Sequence, residues 1–258
     1  MKASATQAKR NTDGDVWYGA QGYPAPDGTG VRAYLSHFAE RSEMNVFDLN
    51  ASGPFQLFGR EHELVFGLGQ SVRKGESEAT SFDTSAPGYM QVPDWRNWTG
   101  KVPVLPVTRY GRLSSENELR QRAAYIAARL RLADPLLAVV GARYGSWETR
   151  QWGYGYDANG NRNRTTRTGY KPDDTLTPYA GLVYDFNSMF SGYVSYTDIF
   201  KPQNYKDVDD KYLEPVVGSN YEVGLKGSLL EERLNLSTAV FRSKQDNVAE
   251  VDDSIPVG

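Results

Sequence analysis

Cysteine is absent from the 258-residue sequence, and histidine occurs only at His37 and His62. A chain without cysteine forms neither disulfides nor thiolate metal sites, and two isolated histidines do not make a metal cluster. The sequence also lacks a Gly-x-Ser-x-Gly motif and a glycine-rich phosphate-binding loop. We therefore predict no catalytic residues, no metal site and no enzyme activity.

Long apolar runs and basic stripes are missing too. No stretch of about 18 apolar residues occurs, which excludes a transmembrane helix but not barrel strands, because these need only about 9–11 alternating residues. The net charge of -3, with scattered Lys and Arg, argues against a nucleic-acid partner. The N-terminal MKASATQAKRNTDGD has no apolar segment and is not a secretory signal. We expect the chain to begin either at a mature N-terminus or inside a longer protein.

The residues that are present favour β structure. Aromatic residues make up 12% of the chain and glycine contributes 25 residues, a mixture typical of strands joined by many turns. No linker-like change of composition divides the chain. We predict one all-β unit over residues 1–258.

A hairpin at residues 219–247 sets the pattern for the rest. Its first strand alternates Tyr221, Val223 and Leu225 with Glu222, Gly224 and Lys226, and its second strand carries Leu234, Leu236, Thr238 and Val240 on one face. A period of two is the signature of an extended strand. Charges of both signs in mid-strand are costly in a packed core, so we expect the polar face to meet water.

Similar alternation recurs along the chain, separated by connections of two kinds. Gly-, Pro- and Asp-rich stretches at 11–41, 74–116, 153–174 and 201–218 are predicted to be long loops, and residues 53–61, 134–135, 187–188 and 229–232 are predicted to be short turns. Long and short connections alternate, as in bacterial outer-membrane barrels with long extracellular loops and short periplasmic turns. We count about nine strands.

Three segments carry a family resemblance. NYEVGLKG followed by RLNLSTAVF and QDN, the stretch SGPFQLFGREHELV, and IFKPQ followed by LEPVVGSNYE all resemble the TonB-dependent outer-membrane ferric-siderophore receptors. The matches cover most of residues 45–248, and the long loops match least.

The resemblance implies an antiparallel up-and-down transmembrane β-barrel segment, about nine strands of a roughly 22-stranded barrel, without the plug domain. It implies a receptor in the outer membrane of a Gram-negative bacterium, embedded in lipid. Such a receptor binds a ferric siderophore outside and imports it with energy from the TonB-ExbB-ExbD complex acting through the plug. Iron would arrive inside the siderophore, so no protein cofactor is expected.

Candidate ligand contacts are aromatic residues of the outer loops, which could line the mouth of the barrel, together with Trp147 and the basic residues beside it. They are Trp147, Arg143, Arg150, Trp152, Tyr154, Trp95, Trp98 and Tyr110, with Trp147 as the strongest candidate because its parity points inward. The open alternative for the loop aromatics is a membrane-interface girdle, which needs no ligand.

A second set of residues is predicted to face the barrel lumen. It comprises Arg129, Arg131, Tyr125, Glu222 and Lys226. Contact of the arginines with acidic plug residues is the preferred interpretation, and contact with ligand is the alternative.

A soluble, secreted all-β module that binds polysaccharide through exposed aromatic residues is the competing function. It accounts for the aromatic residues. It does not account for the alternation of long and short connections or for apolar faces on successive hairpins.

Overall fold

The structure is a computed structural model that describes residues 1–19, 24–31, 33–82, 94–101, 106–231 and 233–250. These residues form ten β-strands in a single antiparallel sheet. The strands are β1 (Lys2–Gly19), β2 (Ala33–Leu57), β3 (Arg60–Phe82), β4 (Val107–Ala133), β5 (Leu136–Tyr156), β6 (Arg162–Tyr170), β7 (Thr175–Asp185), β8 (Phe190–Lys201), β9 (Val216–Leu229) and β10 (Leu234–Asp246). Among the described residues we find no helix with the length and apolar character needed to cross a membrane.

The strands follow chain order across the sheet, with one exception. β5 pairs with both β6 and β7: Thr149 faces Tyr170 of β6, and Gly145 faces Thr175 of β7. β6 and β7 thus share one position in the sheet, which we call a column, and residues 171–174 separate the two strands. The ten strands occupy nine columns, which confirms the predicted count. In the described part of the chain β1 and β10 each pair on one side only, so the sheet is an open arc.

The connections at one end of the sheet are tight. They lie at residues 58–59, 134–135, 186–189 and 230–233, close to the four predicted turns. The first is formed by Phe58 and Gly59, both with positive φ (51° and 72°), and it lies within the predicted turn at 53–61. At the opposite end, which we call the upper end, the β1–β2, β3–β4 and β8–β9 connections are long, but β5 and β6 are joined only by residues 157–161.

Three predicted loops contain long strand segments, and in those segments the loop prediction is wrong. β1 and β2 take up much of 11–41, β3 and β4 take up much of 74–116, and 153–174 contains the end of β5 and all of β6. β4 is 27 residues long, far more than the roughly 9–11 that cross a bilayer. Where both faces of a strand are in water, neither face needs to be apolar. The alternation that marks a membrane strand therefore disappears in these upper parts.

Cross-strand pairing assigns every strand residue to one of two faces, because directly paired residues point the same way. Phe66 pairs with Ile126, Ile126 with Ala142, and Ala142 with Pro178. We call this the outer face and its opposite the inner face. Large apolar side chains form an exposed band on the outer face, here called the apolar belt: Phe47, Leu64, Phe66, Leu68, Ile126, Val140, Leu176, Leu182, Val194, Val223, Leu225 and Val240.

The apolar belt has about the length of a membrane-crossing barrel strand. On β5 and on β7 it spans roughly nine residues, about 26 Å along the strand at about 3.3 Å per residue. Its upper margin carries Tyr144, Tyr196 and Tyr221, and its lower margin carries Tyr184, Phe186 and Phe190, all on or beside the outer face. Aromatic rings at both margins form the girdles of a membrane barrel.

Candidate functional site

Three aromatic rings meet on the inner face above the level of the apolar belt. Trp147 on β5 pairs with Gln121 of β4, and its ring lies 5.7 Å from that of Tyr170, the last residue of β6, in an edge-on arrangement. The ring of Tyr212, in the β8–β9 connection, lies 4.8 Å from that of Tyr170. We call Trp147, Tyr170 and Tyr212 the aromatic cluster. It joins three segments that are distant in sequence.

Tyr170 is the centre of the aromatic cluster. Its side chain is buried, and within the described residues its hydroxyl has no hydrogen-bond partner. Burial, with a smaller contribution from the carboxylate of Glu214, raises the pKa of Tyr170 above its ordinary value. The hydroxyl therefore stays protonated and remains able to donate a hydrogen bond to a ligand.

Two cations flank the aromatic cluster. The Arg143 guanidinium lies over Gly145, where its Nη1 is 2.6 Å from the position that a Cβ would occupy, and so reaches along β5 toward Trp147. The Lys206 ammonium lies 5.0 Å from the centre of the Tyr212 ring. A hydrogen bond to Asp210, 2.8 Å away, raises the pKa of Lys206, which therefore stays charged.

The loop that carries Tyr212 is held in place by a buried amide. Gln203 Nε2 donates to the carbonyl oxygen of Asn247 at 2.6 Å and also to that of Glu214. Lys206 and Tyr212 form an isolated bridge within the loop. The ring of Tyr212 is therefore positioned by backbone contacts rather than left on a free loop.

No group of three or more His, Asp or Glu side chains in the described parts of the chain is arranged to hold a metal ion. The aromatic cluster and its two flanking cations offer a ligand flat rings, one hydroxyl donor and two positive charges. Such a surface binds a preformed, oxygen-rich organic ligand by stacking, hydrogen bonds and charge.

Comparison with known proteins identifies the family of this chain. Residues 3–258 match the family described as TonB dependent receptor-like, beta-barrel. The chain belongs to this family. It is an outer-membrane barrel of the Gram-negative type, and its relatives are transport receptors rather than enzymes.

Curated relatives include pyoverdine receptors. The chain is 33% identical over 255 residues to the "Ferric-pyoverdine BN7/BN8 receptor" of Pseudomonas putida, covering 96% of this chain and 30% of that protein. It is 34% identical over 236 residues to the "Ferripyoverdine receptor" of Pseudomonas aeruginosa PAO1, covering 89% of this chain and 26% of that protein. This chain therefore spans about a third or less of the length of these relatives.

Solved structures agree with the fold. The ferripyoverdine receptor of the Pseudomonas aeruginosa outer membrane, bound to ferripyoverdine, superposes with a TM-score of 0.77 at 30% identity, covering 99% of this chain and 32% of that one. The ferric-catecholate import receptor Fiu of Escherichia coli, at 15% identity and a TM-score of 0.75, shares the fold. The predicted all-β barrel architecture and the predicted family are thus confirmed.

Three predicted ligand contacts lie on the wrong side of the TonB-dependent barrel wall. Arg150, Trp152 and Tyr154 have the opposite parity to Trp147 on β5, so the prediction that they share a site with it is wrong. Arg150 forms an ion pair with Glu148 at 2.6 Å. The guanidinium of Arg167 lies 5.9 Å from the Trp152 ring, and that of Arg162 lies 3.8 Å from the Tyr154 ring.

These outer-face rings are not girdle residues either. Tyr154 lies about 33 Å along β5 beyond Tyr144, which marks the upper margin of the apolar belt, at about 3.3 Å per residue. The girdle is made instead by rings that the sequence analysis did not assign to it, such as Tyr196 and Tyr221, whose centres are 5.0 Å apart.

The remaining predicted aromatic contacts belong to the upper loops and strand ends. The backbone N–H of Trp95 donates to the carbonyl oxygen of Gly28 at 2.9 Å, and Trp98 Nε1 donates to that of Lys101 at 3.1 Å. The Tyr110 hydroxyl lies 2.8 Å from that of Ser81. None of the contacts of these three rings within the described residues reaches Trp147.

All five residues predicted to face the lumen lie on the inner face of the receptor barrel. Tyr125 covers Gly67, Arg129 contacts Glu63 at 3.4 Å, and Arg131 donates to the carbonyl oxygen of Asp134 at 3.0 Å. Glu222 accepts from the Tyr193 hydroxyl, and the Lys226 ammonium lies 5.0 Å from the Tyr193 ring. Contact of these residues with a plug stays a prediction.

Sequence reasoning missed two members of the aromatic cluster, Tyr170 and Tyr212. Tyr170 lies in the stretch that was predicted to be a loop, so it was assigned no face. Its position depends on the register between β5 and β6, for which the sequence carries no short-range signal. The available clue was weak: Tyr170 is followed by Lys171 and Pro172, which interrupt a strand.

Proposed function

We propose that this chain is part of the barrel of a complete receptor that binds a ferric siderophore of the pyoverdine class at the aromatic cluster and imports it into the periplasm. The observation that carries the proposal is the meeting of Trp147, Tyr170 and Tyr212 on the inner face, between Arg143 and Lys206. The printed names of the relatives support the class of ligand.

The chemistry of the aromatic cluster suits an iron chelate. In a siderophore the iron is already surrounded by ligand oxygens, so the receptor needs no metal ligands of its own. Aromatic rings contribute dispersion and stacking against the flat parts of the chelate. The Tyr170 hydroxyl and the two cations contact its oxygen-rich, anionic surface with charge-assisted hydrogen bonds.

Import requires partners that act from the periplasmic side. In our proposal a plug domain fills the lumen and meets the inner-face charges, among them Arg129 and Lys226. TonB, energised by ExbB and ExbD, rearranges the plug and releases the chelate inward. Contact of the plug with the barrel wall and coupling to TonB are both parts of the proposal.

Uptake of radioactive iron tests this function. The complete receptor is expressed in a Gram-negative strain that lacks its own pyoverdine receptors, and entry of ⁵⁵Fe-loaded pyoverdine is followed with and without a protonophore. We expect accumulation that ceases when the proton gradient collapses. A ferric catecholate serves as the ligand control.

Two results would overturn the proposal. Accumulation of the catecholate but not of the pyoverdine would reject the ligand class. Accumulation that continues at full rate without the proton gradient, or in a strain lacking TonB, would reject energised import.

A further inference from the structure

A groove lies on the outer face at the upper margin of the apolar belt. It has a volume of about 430 Å³ and crosses β2 to β5. Leu68 and Tyr144 form its lower walls, the small side chain of Ala124 between them forms its floor, and Phe47, which pairs with Gln70, forms one upper corner. Gln70 and Arg122 lie at its upper edge. The groove is therefore apolar below and polar above, in the direction that leads from the hydrocarbon core of the membrane to its outer surface.

Arg122 is the cation that lines this groove. It is exposed, and its direct neighbours on the adjacent strands are Gln70 and Ser146, neither of which carries a charge. Within the described residues Arg122 makes neither an ion pair nor a hydrogen bond through its side chain. The one carboxylate that lines the groove is Asp174, which accepts a hydrogen bond from the Tyr144 hydroxyl at 3.4 Å.

The cations immediately above the groove differ from Arg122 because each has a carboxylate partner. Arg120 pairs with Glu118, and Lys74 lies 4.0 Å from the same carboxylate. Arg150 pairs with Glu148 at 2.6 Å. Arg122, the lowest of these cations and the one next to the apolar belt, is thus the one that lacks an anionic partner among the described residues.

We propose that the groove binds a phosphorylated glycolipid of the outer leaflet, lipid A, with an acyl chain over Ala124 and a phosphate against Arg122. An outer-membrane barrel meets lipid around its whole apolar belt, and phosphate groups lie at the level of the upper margin. A guanidinium matches a phosphate with paired N–H donors. Because Ala124 lies between larger side chains, the surface offers a channel for one chain rather than a flat wall.

This inference depends on the location of the barrel in the outer membrane and not on the proposed siderophore. Lipid binding and chelate binding use opposite faces of β5, so either one can fail while the other stands.

Native mass spectrometry of the complete receptor in mild detergent tests the proposal. After delipidation, the receptor is titrated with bisphosphorylated lipid A, and the lipid-bound fraction is measured for the unaltered protein and for Arg122→Gln. We expect about fivefold weaker binding for the variant, in line with one cation acting on a membrane anion. Arg73→Gln is the matched control, since Arg73 is exposed on the inner face of β3 and pairs with Leu119. Its binding is expected to be unchanged.

Two further ligands define the chemistry. Lipid A without phosphates should bind both proteins equally, and phosphatidylglycerol should compete poorly because its phosphodiester carries one negative charge, whereas a phosphate monoester of lipid A carries up to two. Equal lipid A affinity of Arg122→Gln and the unaltered protein overturns the site. Equal competition by phosphatidylglycerol overturns the assignment to a glycolipid.

Discussion

Trp147 and Trp152 are both on β5, yet their side chains point to opposite faces of the barrel wall. Trp147 touches Tyr170 on the inner face, whereas Trp152 has the outer-face Arg167 as its neighbour. A strand alternates its side chains regardless of chemistry, so two identical residues acquire different roles through parity alone. This pair provides a direct test of the candidate site.

Trp147→Ala should weaken binding of the ferric chelate to the complete receptor by about 2 kcal/mol, close to thirtyfold in Kd, because a central aromatic anchor is lost. Assembly should be unaffected, since the side chain lies outside the apolar belt. Quenching of intrinsic fluorescence during titration with the chelate measures the Kd.

Trp152→Ala is the matched control and should leave the Kd within about twofold. Equal weakening by the two variants would show that the site is not confined to the inner face. Unchanged affinity of Trp147→Ala would remove Trp147 from it.

Arg96 joins two upper loops through the hydrogen bonds of its side chain. Its guanidinium donates to the carbonyl oxygens of Pro26 and Asp27 at 2.9 and 2.6 Å and to the Asp94 carboxylate at 3.0 Å. The hydrogen bond from Arg96, followed by that from Asn97, lowers the pKa of Asp94 from 3.8 to about 2. Residues 24–31 and 94–101 are thus connected by this side chain as well as by the backbone hydrogen bond from Trp95 to Gly28.

Arg96→Gln should loosen the contact between these two segments, because in the described part of the chain only the backbone hydrogen bond from Trp95 to Gly28 then joins them. The absence of cysteine permits spin labels at Val31→Cys and Thr99→Cys, and the distance between them can be measured by double electron–electron resonance. We expect a narrow distance distribution in the unaltered chain and a broad one in Arg96→Gln. Lys101→Gln, in the same segment, should keep the narrow distribution. Broadening by Lys101→Gln alone would argue against Arg96 as the connection.

The same labels report the effect of pH on this contact. A carboxylate with a lowered pKa maintains its interaction at pH values above that pKa, and the interaction is lost as the pH falls through it. Because the pKa of Asp94 is about 2, we expect the same narrow distribution at pH 7 and at pH 4. Broadening already between pH 5 and pH 4 would contradict the lowered pKa.

At the scale of whole strands, the inner face shows a repeated pairing of tyrosine with glycine. The direct cross-strand pairs are Gly67 with Tyr125, Gly141 with Tyr179, and Gly224 with Tyr193. In each pair the ring covers the glycine, so that a Cβ would lie 2.4 to 2.6 Å from ring atoms. The rings compensate for the missing side chains and fix the register between neighbouring strands.

Gly224→Ala should destabilise the barrel by about 1–3 kcal/mol, since the new methyl group displaces the Tyr193 ring. The displaced ring also loses its hydrogen bond to Glu222 and its contact with Lys226. The midpoint of urea unfolding in lipid bilayers measures the change.

Gly69→Ala is the control for that measurement. Gly69 is also on the inner face of its strand, but a Cβ there would meet the Asp48 carboxylate at 3.5 Å, an ordinary contact distance. Its unfolding midpoint should match that of the unaltered barrel. If both alanine variants unfold alike, coverage by the ring is not what makes Gly224 sensitive.

The molecule as a whole is a single curved layer without an internal apolar core. Among the described residues the buried apolar side chains are only Ala138, Tyr170 and Val216, while the large apolar side chains are exposed on the outer face. Lipid must cover this face, because so large an apolar surface is not stable in water. The unpaired edges at β1 and β10 must pair with further strands, because the bilayer offers their backbone groups no partners.

Ile126→Arg tests the membrane role of the apolar belt. Ile126 pairs with Phe66 and Ala142 in the middle of the belt and is 53% exposed, so its replacement buries a charge in hydrocarbon. We expect a cost of about 2–4 kcal/mol and a reduced folded fraction in vesicles, measured by the heat-dependent shift in electrophoretic mobility.

Its matched control is Ala127→Arg, the next residue along β4, which faces the lumen. The folded fraction of this variant should exceed that of Ile126→Arg by severalfold. The reverse order would invert the assignment of the two faces.

The sequence by itself determined which side chains share a face in the membrane-crossing part of each strand and approximately where the tight turns lie. Alternation is a property of each strand and can be read over a few residues, as with Ile126 and Tyr125 on β4. It also revealed the family, because motifs such as NYEVGLKG are local.

Only the tertiary structure decided how far the strands continue above the membrane and which residues form the aromatic cluster. Above the apolar belt both faces are in water, so no hydrophobic period marks strands such as β6. The meeting of Trp147, Tyr170 and Tyr212 depends on pairing between distant segments and on a loop held by Gln203. Such contacts arise from the register of the whole sheet, which no single stretch of sequence encodes.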